Sequence, residues 1–281
     1  MGDPGSGEQW PVVVPGTCFT DIRHVQTVGS TSAEVAAAAA GGAPAGLVVV
    51  ADHQEAGRGR LGRSWIAPAA TNLLVSVLLR PALAWDEVHR CSTAVCLAAA
   101  VACRDVAGLA VCGKWPNDLV VGDRKLAGVL AEAQAGPPGQ PGPAALVVGL
   151  GLNVAWPGPH DVLPAGMPAA VTSIWAETGR KVSRPALLTR FLEDLHDRLA
   201  DLASPEGWRR QAGEYRTRCA TLGQQVVVTL PGETLRGVAE DVTDSGALVV
   251  FDGTSDRVVT AGDVVHVRPA SSGPTTGGGG S

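Results

Sequence analysis

Apolar positions in this chain recur at two spacings, and the switches between them set the expected order of elements. Leu47-Val48-Val49-Val50-Ala51-Asp52 and the run from Asn72 to Leu79 are short apolar stretches suited to buried strands. Before the first of them, Ser30-Thr31-Ser32-Ala33-Glu34 opens an Ala-rich stretch that closes near Gly41-Gly42. The Thr31-x-x-Glu34 spacing predicts a capping box at the head of a helix there. Asp86 to about Val106 carries apolar residues at helical spacing and predicts a long helix. Leu119-Val120-Val121 and Lys125 to Glu132 flank a Gly122-Asp123 turn. They predict a hairpin with Asp118 and Lys125 near its open end. A Gly/Pro-rich turn region follows over Ala135 to Pro143, then a strand from Ala144 to Val154 and a Pro-rich excursion from Trp156 to Pro168. Pro185 to about Leu202 reads as an amphipathic helix with proline in its first turn, and a further helix is expected from Glu206 to Arg218.

The texture changes after Cys219. Gln225 to Leu230, Thr234 to Val242, Ala247 to Phe251, Arg257 to Thr260 and Val264 to Val267 are short strand-like runs separated by Gly, Asp and Ser turns. Strands this closely spaced predict a small β-barrel. The expected organisation is a flexible leader over 1–16, a main domain over 17–219, the barrel over 220–269 and a flexible Gly/Ser tail over 270–281.

Composition narrows the class. A chain of 281 residues with 45% hydrophobic residues is long enough for one large core and one small one. Its net charge of −5 argues against a dedicated nucleic-acid binder, which would carry a basic balance or stripe. The six cysteines form no Cys-x-x-Cys pair, and Cys96 and Cys103 lie seven apart in a helical pattern facing one core. Buried free thiols of this kind suit a reducing cytosol. No signal peptide and no apolar run of membrane-spanning length is visible, so the expectation is a soluble, cytoplasmic protein without membrane partners.

Against that acidic background, Gly57-Arg58-Gly59-Arg60-Leu61-Gly62-Arg63-Ser64-Trp65 is a local cationic exception. Glycines allow close backbone approach, and arginines offer forked donors to carboxylate and phosphate oxygens. Gly57-x4-Gly62-Arg63-Ser64 has the spacing of a P-loop with Arg in place of Lys. The following Trp65-Ile66-Ala67-Pro68 is a poor helix start, however, and a P-loop needs helix amides to cradle phosphate. Gly108-x4-Gly113-Lys114-Trp115 fails likewise, with tryptophan in place of the magnesium-binding hydroxyl. Gly149-x-Gly151 lacks the third glycine of a dinucleotide fingerprint and reads as a strand end where something packs closely. Asn117 and Asp118, wedged between Trp115-Pro116 and an apolar run, form a turn or face a site with Lys125. A lysine there, opposite a loop of arginines, can grip a carboxylate and an α-phosphate together.

Four motifs in this order resemble the signatures of the biotin protein ligase family. They are the Gly57–Trp65 loop, Lys114-Trp115-Pro116-Asn117-Asp118, Arg124-Lys125-Leu126-Ala127-Gly128-Val129-Leu130-Ala131-Glu132, and Gly149-Leu150-Gly151-Leu152-Asn153-Val154. The resemblance spans roughly Thr17 to Arg268, and four linked motifs are far more specific than any one of them. It implies an α/β (α+β) fold: a mixed β-sheet with flanking helices like class II aminoacyl-tRNA synthetases, followed by a Src-homology-3-like barrel. It also implies the monofunctional class without an N-terminal winged helix, acting as a monomer or weak homodimer. The implied reaction joins biotin and ATP into biotinyl-5′-AMP with the help of Mg²⁺. Biotin then passes to a lysine of the biotin carboxyl carrier domain of an acyl-CoA carboxylase. One alternative is lipoate or octanoate attachment on the same fold, although its Arg-Arg-x-x-Gly-Gly-Gly pattern is absent, and the other is a non-catalytic biotin-binding protein.

By this resemblance Ser30, Thr31, Ser32, Gln54, Gly57, Arg58, Gly59, Arg60, Lys125, Gly149 and Gly151 surround biotin. Arg58, Arg60, Arg63, Trp65, Asn117, Lys125 and Asn153 surround the adenylate. Lys125, Arg60 and Asp118 carry the chemistry, with Asp118 also the candidate magnesium ligand. Leu61 stands where the family commonly has arginine.

Overall fold

The computed structural model of the chain describes residues 8–164, 170–202, 204–230, 232–260 and 262–266. The first seven residues of the expected leader, part of the Pro-rich excursion and the expected tail lie outside them. The fold begins with a parallel β-α-β unit: β1 (Asp21–Val28), α1 (Thr31–Ala40) and β2 (Leu47–Gln54). β3 (Leu73–Leu79), α2 (His89–Ala107), β4 (Cys112–Lys114), β5 (Asp118–Val121), β6 (Arg124–Gln134) and β7 (Ala145–Leu152) complete a seven-stranded sheet. Its order is β1-β2-β3-β7-β6-β5-β4, and every pair but the first is antiparallel. After it come α3 (Ile174–Thr178), α4 (Arg184–Asp201) and α5 (Pro205–Thr217).

The two faces of this sheet are finished differently. Side chains alternate across a strand, so Val75, Val77, Leu146, Val148, Leu150 and Leu152 share one face and pack with Cys96, Cys103, Phe191 and Leu195 of α2 and α4. On the other face Leu47, Val49, Leu78 and Val147 pack against Val35 and Ala39 of α1. That helix has only 10 residues and covers only part of its face. Further along, Ser76 stands opposite Gly149, and Gly128 stands opposite Gly151. Small residues therefore leave a concavity where the helix layer stops.

The C-terminal strands β8 (Gln225–Leu230), β9 (Glu233–Val242), β10 (Leu248–Phe251), β11 (Asp256–Val259) and β12 (Asp263–His266) form an antiparallel sheet in the order β11-β10-β9-β8-β12. Val259 and Val264, from its opposite edges, enter one core with Val228, Leu248 and Val250, so the sheet curls strongly. Trp115 joins this core from the larger unit and donates its indole N–H to Gly246 O at 2.9 Å, while Trp208 does the same to Asp244 O at 2.9 Å.

Several expectations need correction. The leader is expected to be flexible as far as residue 16, yet Glu8, Trp10 and Val14 within it are anchored to the fold, while Val12 and Val13 are exposed. Val14 is buried, its N–H donates to Phe19 O, and Trp10 stacks on His24 with ring centroids 5.1 Å apart. Glu8 pairs with buried Arg184 at 2.6 Å, which supplies the counter-charge that a buried guanidinium requires. Gly and Pro dominate the composition there and mask these anchors. β1 escapes the apolar pattern because it is an edge strand with only Ile22 buried. α3 is a helix of only five residues that the spacing does not reveal. The expected capping box is absent: Ser30 is the N-cap and makes no side-chain cap, and the helix start is satisfied from β2 instead. The long helix starts at His89, after a 3₁₀ turn over Trp85–Glu87. All six cysteines are free, but Cys18 and Cys112 are exposed rather than buried.

Candidate active site

A cavity of about 600 Å³ opens over the small-residue patch of the large sheet. One wall is the start of α1. Thr31 N–H donates to Gln54 Oε1 at 2.8 Å, and the Thr31 hydroxyl lies 3.0 Å from the same oxygen. Ser76 Oγ is 2.8 Å from Thr31 Oγ1 and 3.0 Å from Ser32 Oγ. Gln54, Thr31, Ser76 and Ser32 thus form one continuous polar chain, of which Thr31, Ser32 and Ser76 are buried, as is the neighbouring Ser30. Buried polar groups hold their geometry when each is hydrogen-bonded, so this wall is preformed.

The floor needs its glycines. A Cβ on Gly149 would come within 2.8 Å of Ser32 Oγ, and one on Gly151 within 2.5 Å of the Trp65 indole. The Trp65 ring lies across the Gly128 and Gly151 backbone, and Lys125 Nζ sits 5.7 Å from its centroid. The close-packing reading of Gly149-x-Gly151 therefore holds.

The Gly/Arg loop forms the lid. Its stem is a small ladder in which Arg58 bridges Ser64, Gly59 N–H donates to Arg63 O at 2.7 Å, and Trp65 N–H donates to Gly57 O at 2.9 Å. Its tip turns at Leu61, which has φ +56° and is 71% exposed. Arg60 reaches inward and donates to Asn117 Oδ1 at 3.0 Å, while Asn117 Nδ2 donates to Val129 O at 2.6 Å. Arg58 pairs across the mouth with Glu132 at 3.4 Å.

Lys125 and Asp118 meet in an ion pair of 2.6 Å, but not as the hairpin pattern predicts. Asp118 lies opposite Gly128 at the open end, whereas Lys125 lies opposite Val120, beside the Gly122-Asp123 turn. Between Leu119↔Ala127 and Val120↔Lys125 the partner strand advances by two residues against one, which is a β-bulge in β6 at Leu126. Ala127 and Val129 face the helix-covered core. Strict alternation would send Lys125 the same way, because a one-residue shift exchanges faces. The bulge turns it into the cavity.

Residues 34–153 match the Biotin/lipoate A/B protein ligase family, and residues 221–267 match the Biotin protein ligase C terminal domain. The Biotin--[acetyl-CoA-carboxylase] ligase of Mycobacterium tuberculosis is 35% identical over 263 residues, covering 90% of this chain and 91% of that protein. The chain belongs to the biotin protein ligase family. The ligase of the same description from Paracoccus denitrificans is 33% identical over 77% of this chain and 88% of its own length. In fold, the present chain superposes on the Aquifex aeolicus biotin protein ligase in complex with biotin and ATP with a TM-score of 0.75. That likeness covers 89% of this chain and 100% of the other at 22% identity.

Most of the residues expected at the ligase site line the cavity, including Ser30, Thr31, Ser32, Gln54, Arg58, Gly59, Arg60, Arg63, Trp65, Asn117, Asp118, Lys125, Gly149, Gly151 and Asn153. Two expected residues are placed differently from the expectation. Gly57 is buried at the loop stem and does not line it; a Cβ there would come within 2.5 Å of Trp65 O. Asn153 has both side-chain groups committed, Oδ1 to Asn72 at 3.0 Å and Nδ2 to Thr172 O at 2.9 Å. Ser76 was not anticipated, although it is the lone polar residue in the apolar β3 run and that contrast was its signal.

Among the described residues no group of three or more His, Cys, Asp or Glu is placed to hold a metal. Asp118 is a single carboxylate already bridged by Lys125. Among the described residues, then, the site offers an accompanying metal ion the Asp118 carboxylate and no preformed cluster. Burial pushes the Cys91, Cys96 and Cys103 thiols up to about 12, which disfavours the reactive thiolate. No helix among the described residues is long and apolar enough to cross a membrane.

Proposed function

We propose that this chain is an ATP-dependent biotin protein ligase. It forms biotinyl-5′-AMP from biotin and MgATP, then passes the biotinyl group to a lysine of a biotin carboxyl carrier domain. One observation carries the reading: the β6 bulge brings Lys125 and Asp118 into a cavity with a preformed polar wall on one side and Arg60 on the other. The wall of Gln54, Thr31, Ser32 and Ser76 offers donors and acceptors to a small polar ring system, and the glycine floor admits a flat one.

In the first step the biotin carboxylate attacks the α-phosphorus, and pyrophosphate leaves with the electron pair of the bond that breaks. Two anions are forced together, and charge grows further in the five-coordinate transition state. The Lys125 ammonium and Arg60 guanidinium are fixed positive groups at that place. Asp118 holds Lys125 before the substrates arrive. In the second step a carrier lysine amine attacks the acyl carbon, AMP leaves, and the amine proton must be taken up; Asp118 is the nearby carboxylate for it. Trp65 covers the floor and keeps water from the mixed anhydride.

The acidic net charge favours a protein and small-molecule clientele over nucleic acid, and the enzyme of this proposal works in the cytoplasm as a monomer or weak homodimer. The decisive experiment is transfer of biotin to a purified carrier domain, with lipoate as the competing acid. Biotin-dependent pyrophosphate release followed by carrier labelling is expected. Labelling with lipoate but not biotin would move the chain to the lipoate branch of its family.

A further inference from the structure

A bulge leaves backbone groups outside the ladder, and they must find partners elsewhere. At Lys125 they are taken by a strap made from residues 170–172. Lys125 N–H donates to Ala170 O at 2.9 Å, and Thr172 N–H donates to Lys125 O at 2.9 Å. The next carbonyl, that of Leu126, accepts from Asn153 N–H at 2.9 Å. Asn153 also holds the strap, because its Nδ2 donates to Thr172 O at 2.9 Å. Behind Asn153 stands Asn72, which is fully buried. Its Nδ2 donates to Asn153 Oδ1 at 3.0 Å, and its Oδ1 accepts from Val154 N–H at 3.0 Å and Trp156 N–H at 3.2 Å.

We propose that Asn72 is a positioning residue for Lys125, fixing the bulged backbone through Asn153 and Thr172 and so setting where the ammonium group stands during adenylation. The proposal rests on the ligase reading above. Asn72 does not line the cavity, so any effect it has on the chemical step must pass through other residues. The position demands one flat side chain with an acceptor on one arm and a donor on the other. An aspartate has the same shape and keeps the acceptor toward Val154 and Trp156. It replaces the donor with a lone pair facing Asn153 Oδ1, so the Asn153 amide turns or withdraws and Thr172 O loses its partner.

The test is a mutant cycle of wild type, Asn72→Asp, Lys125→Ala and the double variant. Each is read by biotin-dependent pyrophosphate release and, separately, by calorimetric biotin binding. Asn72→Asp is expected to lower kcat by about 10- to 100-fold, the scale of an ångström-sized misplacement, with biotin affinity near wild type. In the Lys125→Ala background the same change should matter by no more than about twofold, because residues acting as one unit are not additive. An equal loss in both backgrounds, or a wild-type kcat in Asn72→Asp, overturns the proposal. Should Asn72→Asp lack a cooperative melt, Asn153→Asp takes its place in the cycle. It keeps the acceptor toward Asn72 and loses only the donor to Thr172 O, with the same pattern expected and the same pattern fatal. Failure of the wild type itself to release pyrophosphate would instead refute the ligase reading, a result separate from an additive cycle.

Discussion

The two walls of the cavity are held by different means. On the α1 side, Gln54, Thr31, Ser32 and Ser76 are linked by short hydrogen bonds between buried atoms and anchored in a helix and two strands. On the lid side, three short backbone bonds close a loop whose tip, Leu61, is 71% exposed in the left-handed region. A rigid polar wall recognises a ligand with little ordering cost, whereas a loop that must order on the ligand spends part of its contact energy doing so. In the proposed reaction the wall is therefore the recognition half of the site, and the loop the retention half. Lys125 stands between them, placed by the sheet and not by the loop.

The largest expected effect removes the residue that serves both halves. Lys125→Ala should cut adenylate formation by about 10²–10³, the scale seen when one preorganised charge-stabilising donor is lost. Pyrophosphate release at the wild-type rate would end that assignment. Next, Arg60→Gly should leave biotin binding nearly unchanged and speed adenylate escape. The expected loss is about 1.5–3 kcal/mol, mostly in the off-rate, for one charge-assisted contact. Rapid dilution of enzyme loaded with biotinyl-AMP measures it, and unaltered release would erase the distinction between the halves.

Changes in the floor and the wall should show the opposite signature. Gly151→Val places a branched side chain against Trp65 and is expected to weaken biotin affinity by about 1–3 kcal/mol through overpacking. Titration calorimetry checks this, and undiminished affinity would show that ligand does not reach the floor. Gln54→Ala removes the acceptor at the start of α1. It should lower folding stability by about 1 kcal/mol, as for a lost helix cap, and weaken biotin binding in step. A denaturant melt coinciding with wild type would argue that water replaces Gln54 at no cost.

The smallest effect concerns the junction with the C-terminal sheet. Burial holds the pKa of His89, edge-on to Trp208, below its ordinary value, and does the same for His266, which is bonded to Thr221. For each, the unfolded chain binds a proton more readily than the folded one. Their contribution is thus complete above the ordinary histidine value of about 6.5 and is lost as pH falls through the lower folded value. Thermal melts should drop on acidification below about pH 6.5, and less steeply in a His89→Gln protein. A melting temperature that stays flat across that window would remove the histidines from the junction's energetics.

Much of this was legible in the chain because apolar spacing reports burial directly. β2, β3, β7, the helices α2, α4 and α5 and the strands after Cys219 all bury a regular set of side chains. β1 was not, since an edge strand with one buried residue carries no such pattern. The site's four motifs were legible as a set, but Ser76 and Asn72 were not, because each acts through a neighbour across the sheet and not along the chain. The packed segment at Glu8 and Trp10 was hidden for the same reason: its partners, Arg184 and His24, are remote in sequence.

The sequence by itself determined which stretches carry charge and glycine and which carry a hydrophobic period. Charge, glycine and hydrophobic period are properties of each position and its near neighbours. Where Lys125 points was decided only by the tertiary structure. Its place in the alternation, in step with Ala127 and Val129, would bury it under α2. One extra residue in the ladder, held by a strap at Ala170 and Thr172 and by Asn153, turns it to the other face. A period of two cannot announce its own interruption, because the bonds that stabilise a bulge come from elsewhere in the fold.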